Sequence, residues 1–425
     1  MGYLLLTVYN LLTPVIALGY LVFFVFSPRR RLLKNFFSEL GERFSASASG
    51  TGSGAIWVHA ASVGEVKALV RFIPALRSSF PGRGIMMTTS SWTGRAEALK
   101  LSPAVRLAPL DLYPLTRAFI KKAAPCALIL IETEIWPNML FCAAREGVPV
   151  FMINARLSKK TLALYRILGP LTRLIFSGVR RVLAQSPWDT ERFSRLPGLE
   201  GKVIETGNLK HDLMGTSVSG IAEVSAFIKA LGWEDSPVIT AGSTHPEEEP
   251  VIINAWLEAK KNAPDLKLVI VPRHTERSVE TETILRSRSA PFARWLAGPV
   301  AGAQCLLVDH MGLLQAFYAH STVCFVGGTL DSTGGHNLLE PALFSKPVIF
   351  GPNYRNARQA GELLLKEKGG FLAETAPEMA AKLSSLLSNR SYLAASGENA
   401  AKALRSLKGA TEKSIVILKS AIPAL

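Results

Sequence analysis

Several side chains able to do acid–base or anion chemistry stand directly after short apolar runs in this 425-residue chain. In IWVHAASVGEVKAL, beginning at Ile56, a strand, a turn and a helix carry Ser62 and Glu65. Their spacing fits the capping box S-x-x-E, in which the glutamate reaches back to the Ser62 backbone N–H. The same carboxylate at a strand's carboxyl end is also suited to take a proton from an attacking hydroxyl. Both readings stand on the sequence. In LILIETEIWPN, Glu132 and Glu134 follow a wholly apolar strand and either share a face or are solvated charges. Asn154, Arg156 and Ser158 in NARLS, and Lys210 in GNLK, close further strands, where a cation could stabilise a substrate's anion or simply be solvated.

The second half carries a different pattern. From Thr322 to Pro352 the chain reads strand, glycine-dense loop (Gly327, Gly328, Gly334, Gly335), helix opening near Asn337, and strand. A glycine loop before a helix N-terminus predicts an anion site, because unpaired N–H groups and the helix dipole favour negative charge. Glu340 suits the paired hydroxyls of a ribose. A glycine-rich turn without a ligand is the plainer alternative. In AGSTHPEEEP, Thr244 and Glu247 read as a helix cap with Pro246 early in the helix, while Ser243 and Thr244 could still face a cleft. LKLVIVPRH is a strand ending in Pro272, Arg273 and His274, and an arginine there can fork onto a phosphate or carboxylate.

The elements that must position these groups are short and continuously apolar. Candidate strands are 55–59, 84–88, 105–107, 126–131, 148–153 and 181–184 in the first half, and 238–241, 266–271, 305–308, 323–326 and 347–350 in the second. Unalternating strands between helical segments imply parallel sheets covered on both faces, with ligands at the strands' carboxyl ends. The expected fold is therefore α/β, with two Rossmann-like doubly wound domains. Expected boundaries are 1–34 for a membrane anchor with a basic flank, 35–212 for the first domain and 213–425 for the second. NLKHDLMGTSVSG connects the domains, and SASASGTGSG (Ser45–Gly54) is a flexible link.

Tyr3 to Phe26 is 24 residues without a charge, about 36 Å as a helix and long enough to cross a hydrocarbon core. Arg29, Arg30, Arg31 and Lys34 follow it, which predicts an uncleaved anchor with the downstream chain in the cytoplasm. Residues 1–210 hold 27 Lys and Arg against 12 Asp and Glu, whereas from residue 211 the two classes balance at 21 each. A basic half beside a bilayer favours anionic lipid. No aromatic–basic or helix-turn-helix pattern points to nucleic acid. Four cysteines without a C-x-x-C or zinc spacing argue against a disulfide framework or a cysteine metal site, and for a reducing compartment.

Taken in order, the segments WVHAASVGE, PLDLYP, IETEIWPN, NARLS, GNLKHD, GSTHPEEE, VPRH and FVGGTLDSTGGHNLLEPALFSKPVIFGP resemble the bacterial 3-deoxy-D-manno-octulosonic acid (Kdo) transferase family along nearly the whole chain. The resemblance implies two Rossmann-type domains of the GT-B kind, CMP-Kdo as donor, a lipid A precursor as acceptor, inversion at the anomeric carbon and no required metal or cofactor. It places the base at Glu65 and supporting residues at Glu132, Glu134 and Lys210. Contacts to CMP fall at Pro272 with Arg273, at Met311 and Gly312, and at Asn337 with Glu340. One departure is visible: the family's D-x-x-G-E segment reads Asp309-His-Met-Gly312-Leu313 here, so the loop is expected to act through its backbone. A sibling glycosyltransferase using a UDP-sugar and a non-catalytic nucleotide-binding membrane protein are the alternatives. A nicotinamide enzyme is disfavoured by the lack of G-x-G-x-x-G after a strand.

Overall fold

A computed structural model of the chain describes residues 1–26, 41–43, 54–215 and 218–422. The basic cluster at Arg29–Lys34 and nearly all of the Ser45–Gly54 link lie outside the described residues. The chain forms two compact units, Met1–Leu213 with Lys408–Leu425, and Met214–Leu407.

The first unit contains β1 (Ile56–His59), β2 (Ile85–Thr89), β3 (Val105–Leu107), β4 (Ala127–Ile131), β5 (Val150–Ala155), β6 (Val179–Ala184) and β7 (Val203–Glu205). They form one sheet in the order β3-β2-β1-β4-β5-β6-β7, parallel throughout. Ile56 and Val58 join Ala127, Ile129 and Ile131 in one core, while Trp57 joins Leu128, Leu130 and Met152 in the other. Because both faces are covered, the interior strands are mostly apolar, and the runs appear unalternating in sequence. Strand order reverses between β1 and β4, so this sheet's crevice opens where His59 and Ile131 end their strands.

The second unit repeats the plan with β8 (Val238–Thr244), β9 (Lys267–Pro272), β10 (Phe292–Arg294), β11 (Cys305–Leu307), β12 (Val323–Val326), β13 (Val348–Phe350) and β14 (Gly370–Leu372). The order is β10-β11-β9-β8-β12-β13-β14, again parallel. Its switch point lies between β8 and β12, which end at Thr244 and Val326.

Four expectations need correction. Strands β7, β10 and β14 were not expected; each is three residues at or beside a sheet edge and partly exposed, so none presents a continuous apolar run. Residues 408–425, assigned by sequence to the second domain, belong to the first unit. There Asp212, buried, accepts the N–H groups of Gly409 and Thr411, both at 2.7 Å, and caps the helix Ala410–Ala421 from outside it. The N-terminal segment is not a separate piece: the helix Gly2–Phe26 places Leu6 in the first unit's core. Among the described residues no helix is long and apolar enough to cross a membrane. Finally, no α-helix opens at Asn337; a turn leads into a single 3-10 segment, Pro341–Phe344.

Asp212→Ala leaves two helix-start donors without their acceptor. The expected loss is about 2 kcal/mol, measured by chemical denaturation; a loss below about 0.5 kcal/mol would contradict the capping role.

Candidate active site

In the first unit the turn after β1 and the turn after β4 meet at the switch point. Ser62 is the N-cap of the helix Val63–Ala68, and its hydroxyl accepts the Glu65 N–H at 3.3 Å. Glu65 returns the contact, accepting from the Ser62 hydroxyl at 2.9 Å and from the Ala61 N–H at 2.7 Å. The box is thus shifted one residue upstream from the expected Ser62 N–H. Capping and a proton-accepting role are compatible, since an ionised carboxylate has about four acceptor positions. Glu65 is only 8% exposed. Burial raises its pKa above the usual carboxylate range, and the charges of Glu134 and Glu132 raise it further.

Glu132 adopts φ +59° immediately after β4, a left-handed conformation costing about 1 kcal/mol or more for a non-glycine residue. Its Oε1 accepts Lys210 Nζ at 2.8 Å and Asn154 Nδ2 at 3.4 Å. Asn154, itself at φ +56°, accepts the Leu209 N–H at 3.0 Å and so fixes the short helix Leu209–Asp212 that bears Lys210. Glu134 is held by the Trp136 indole N–H. Of two further sequence candidates, Ser158 caps the helix Lys159–Ile167, and the Arg156 side chain is exposed.

Sequence reasoning missed His59. It is fully buried, with Nδ1 2.9 Å from the Thr88 hydroxyl, which also accepts the Trp57 indole N–H at 2.8 Å. The hydroxyl proton is therefore free to go to Nδ1, leaving the imidazole N–H on Nε2. That nitrogen has no hydrogen-bond partner and lies 3.6 Å from Glu134 Oε2.

In the second unit the glycine loop is not an open anion cradle. Glu248, fully buried, accepts the N–H groups of Gly328, Thr329 and Leu330 at 2.8 to 2.9 Å and of His245 at 3.0 Å. The N–H groups of Gly334, Gly335 and His336 bond to carbonyls inside the loop. The protein's own carboxylate occupies the nest. Gly327 is required by contact: a Cβ there would meet Ser243 O at 2.4 Å and Glu248 Oε2 at 2.7 Å. The expected Thr244–Glu247 cap is also replaced, because Glu247 is exposed and the Thr244 hydroxyl donates to buried Glu249 at 3.0 Å.

Ser243, at φ +55°, and Thr244 end β8, and Pro272 ends the adjacent β9. Arg273 donates its backbone N–H to Thr244 O at 3.0 Å, while its exposed side chain has no ion-pair partner among the described residues. Asn337 donates to Glu340 Oε1 at 3.3 Å, and burial pushes the Glu340 carboxyl up. Met311 is exposed and Gly312 sits at φ +93°. The Leu313 side chain lies in the core beside Trp295 and Phe317, so only its backbone is available to a ligand. Also missed in sequence was a histidine pair: His245 and His336 stack with centroids 5.2 Å apart and Nε2 atoms 2.9 Å apart, and His245 Nδ1 lies 3.3 Å from Asp331. Burial, then His245 and Arg273, lower the His336 pKa.

Two doubly wound parallel sheets with carboxylates and cations at their switch points form a GT-B-like fold. A solved glycosyltransferase from Rickettsia africae matches this fold with a TM-score of 0.57 at 13% identity, covering 87% of this chain and 98% of that one. The family model described as 3-deoxy-D-manno-octulosonic-acid transferase (kdotransferase) matches residues 38–213. The 3-deoxy-D-manno-octulosonic acid transferase of Haemophilus influenzae is 31% identical over 402 residues, 92% of each chain. The solved C-terminal CMP-Kdo binding domain of WaaA from Acinetobacter baumannii is 30% identical, covering 44% of this chain and 97% of that domain, with a TM-score of 0.41. The chain belongs to the Kdo transferase family and is a Kdo-transferring enzyme.

If Glu65 is the base, activity is lost as pH falls through its raised pKa. Glu134→Gln removes the stronger repelling charge, so the acid limb of kcat/KM should move to lower pH. An acid limb that stays in place or rises would show that the two carboxylates do not interact.

Proposed function

We propose that the chain transfers Kdo from CMP-Kdo to a hydroxyl of a lipid A precursor during lipopolysaccharide assembly, at the cytoplasmic face of the bacterial inner membrane. The observation carrying this reading is Glu65, a nearly buried carboxylate of raised pKa at the first sheet's switch point, beside Glu132 and Glu134. A base of elevated pKa is better matched to an alcohol proton at neutral pH than an ordinary carboxylate. The acceptor oxygen bonds to the anomeric carbon as its proton passes to Glu65. The bond from that carbon to the CMP phosphate oxygen breaks, and CMP departs with the electron pair.

Lys210, oriented by Glu132 at 2.8 Å, supplies positive charge for the carboxylate of the transferred sugar or the developing charge. In the second unit Arg273 is the side chain suited to the single CMP phosphate, because its guanidinium is exposed and uncommitted. Glu340 and Asn337 suit the ribose. One phosphate needs less charge compensation than two, so the proposal requires no divalent metal.

The membrane reading changes from crossing to lying alongside. Tyr3, Leu4, Val8, Leu11, Leu12 and Val15 are exposed along the N-terminal helix, while Leu6, Tyr9 and Asn10 face the first unit. A helix with its apolar side outward suits the interface of an anionic leaflet, and the basic first half adds attraction.

Glu65→Ala should abolish Kdo transfer, by about 100-fold or more, with CMP affinity unchanged in titration calorimetry. Arg273→Ala should weaken CMP binding instead. Turnover retained by Glu65→Ala would remove that residue from the role. For the membrane, Leu4→Glu with Leu11→Glu should prevent flotation with anionic vesicles; flotation equal to wild type would refute an interfacial helix.

A further inference from the structure

The N-terminal helix is joined to the first unit by polar side chains that lead to the acidic loop. The Tyr9 hydroxyl donates to Asp111 Oδ2 at 2.9 Å. Asn10 and Asn138 exchange two amide hydrogen bonds, at 3.1 and 3.0 Å, and Asn10 Oδ1 also accepts the Tyr113 N–H at 3.2 Å. Asp111, 6% exposed, accepts the N–H groups of Asn138 and Met139 at 3.0 and 2.8 Å. Those are the first-turn donors of the helix Pro137–Arg145, whose own N-cap, Trp136, contributes no side-chain cap. Residues 132–136 run from the end of β4 straight into that turn, so whatever fixes the turn fixes the loop carrying Glu132 and Glu134.

We propose that the N-terminal helix is a positioning element of the active site, Tyr9 and Asn10 acting through Asp111 and Asn138 to set the Glu132–Trp136 loop beside Glu65. This rests on the reading of those carboxylates as the surroundings of the base. A membrane tether alone needs no such network, since burying amides and a carboxylate at a helix junction is costly unless every group is bonded. Here the Asn138 side chain is fully engaged, with Nδ2 also donating to Asp111 O at 2.6 Å.

Asp111 makes the coupling measurable. Burial outweighs the donors Asn138, Tyr9 and Met139 and the nearby His59, which pull the other way, and leaves its carboxyl raised to about 6. The titratable groups facing it are Tyr9 on the N-terminal helix, His59 on β1, Cys142 on the following helix and Tyr165 on the helix Lys159–Ile167. Tyr9→Phe removes one donor to the ionised form, so Asp111 takes up its proton at a higher pH, and a protonated Asp111 cannot hold both helix N–H groups equally.

The test uses the full chain in detergent, where membrane attachment does not limit turnover. Kdo transfer to a lipid A precursor is measured across the acid range for wild type, Tyr9→Phe and Asn10→Ala, alongside their thermal unfolding. Both variants should lose about tenfold in kcat with the CMP-Kdo KM unchanged, and Tyr9→Phe should move the acid limb to higher pH. Wild-type kcat and pH profile in both variants would overturn the proposal. So would a loss of activity that follows the folded fraction with the acid limb unmoved. A wild-type chain that transfers no Kdo sinks the functional reading, and the proposal with it.

Discussion

Parallel strands and the helices that follow them leave backbone N–H groups without partners, and buried donors must be satisfied. This protein repeatedly meets that demand with side-chain carboxylates, most of them from elsewhere in the chain. Glu65 takes the Ala61 N–H, Asp111 takes Asn138 and Met139, and Asp189 takes Leu157. Asp212 takes Gly409 and Thr411, and Glu248 takes Gly328, Thr329 and Leu330. The same donors that could hold a ligand's phosphate therefore hold side chains. Left without such a task are the exposed Arg273 guanidinium in the second unit and, in the first, the two acids beside Glu65, namely Glu132 and Glu134.

Those acids repel one another, and the arrangement turns repulsion into basicity. Glu65 loses water on burial and faces Glu134 and Glu132, so its proton affinity rises. Lys210 neutralises Glu132, and His59 stands behind Glu134. The result is graded: one carboxylate paired with a cation, one against an imidazole, and one held by a serine and a backbone N–H. The left-handed residues Glu132 and Asn154 fall at the carboxyl ends of β4 and β5, where these groups are presented. Local strain at strand ends is the structural counterpart of that presentation.

The interior strands were legible because a strand covered on both faces is built mostly of apolar residues. Edge strand β3 was legible too, but the edge strands β7, β10 and β14 were not, since half-exposed three-residue pieces such as Val203–Glu205 carry no such signature. Glu65 was found by its spacing from Ser62, yet spacing could not separate capping from chemistry, and the structure shows the cap without excluding the base. The glycine loop was misread for a specific reason: its glycines admit an anion, but the sequence does not say whose. Glu248 lies 80 residues from Gly328. Likewise, His59 and the pair His245–His336 needed three-dimensional proximity to be noticed, because isolated histidines have no pattern.

The N-terminal helix shows how one composition can support two architectures. A charge-free run of this length is what a membrane span requires, and hydropathy records nothing about direction around the helix. Tyr9, Asn10 and Thr13 are the polar side chains in its middle turns, and Tyr9 and Asn10 point toward the protein while Val8, Leu11 and Leu12 point away. In water this is inverted amphipathy, since a docked helix ordinarily turns its apolar face inward. The inversion becomes economical only if the outward face meets an apolar medium while the inward face meets groups that need hydrogen bonds. Asp111 and Asn138 are such groups. A segment docked through Tyr9 and Asn10 is fixed along its axis, because shifting it would break the amide pair with Asn138.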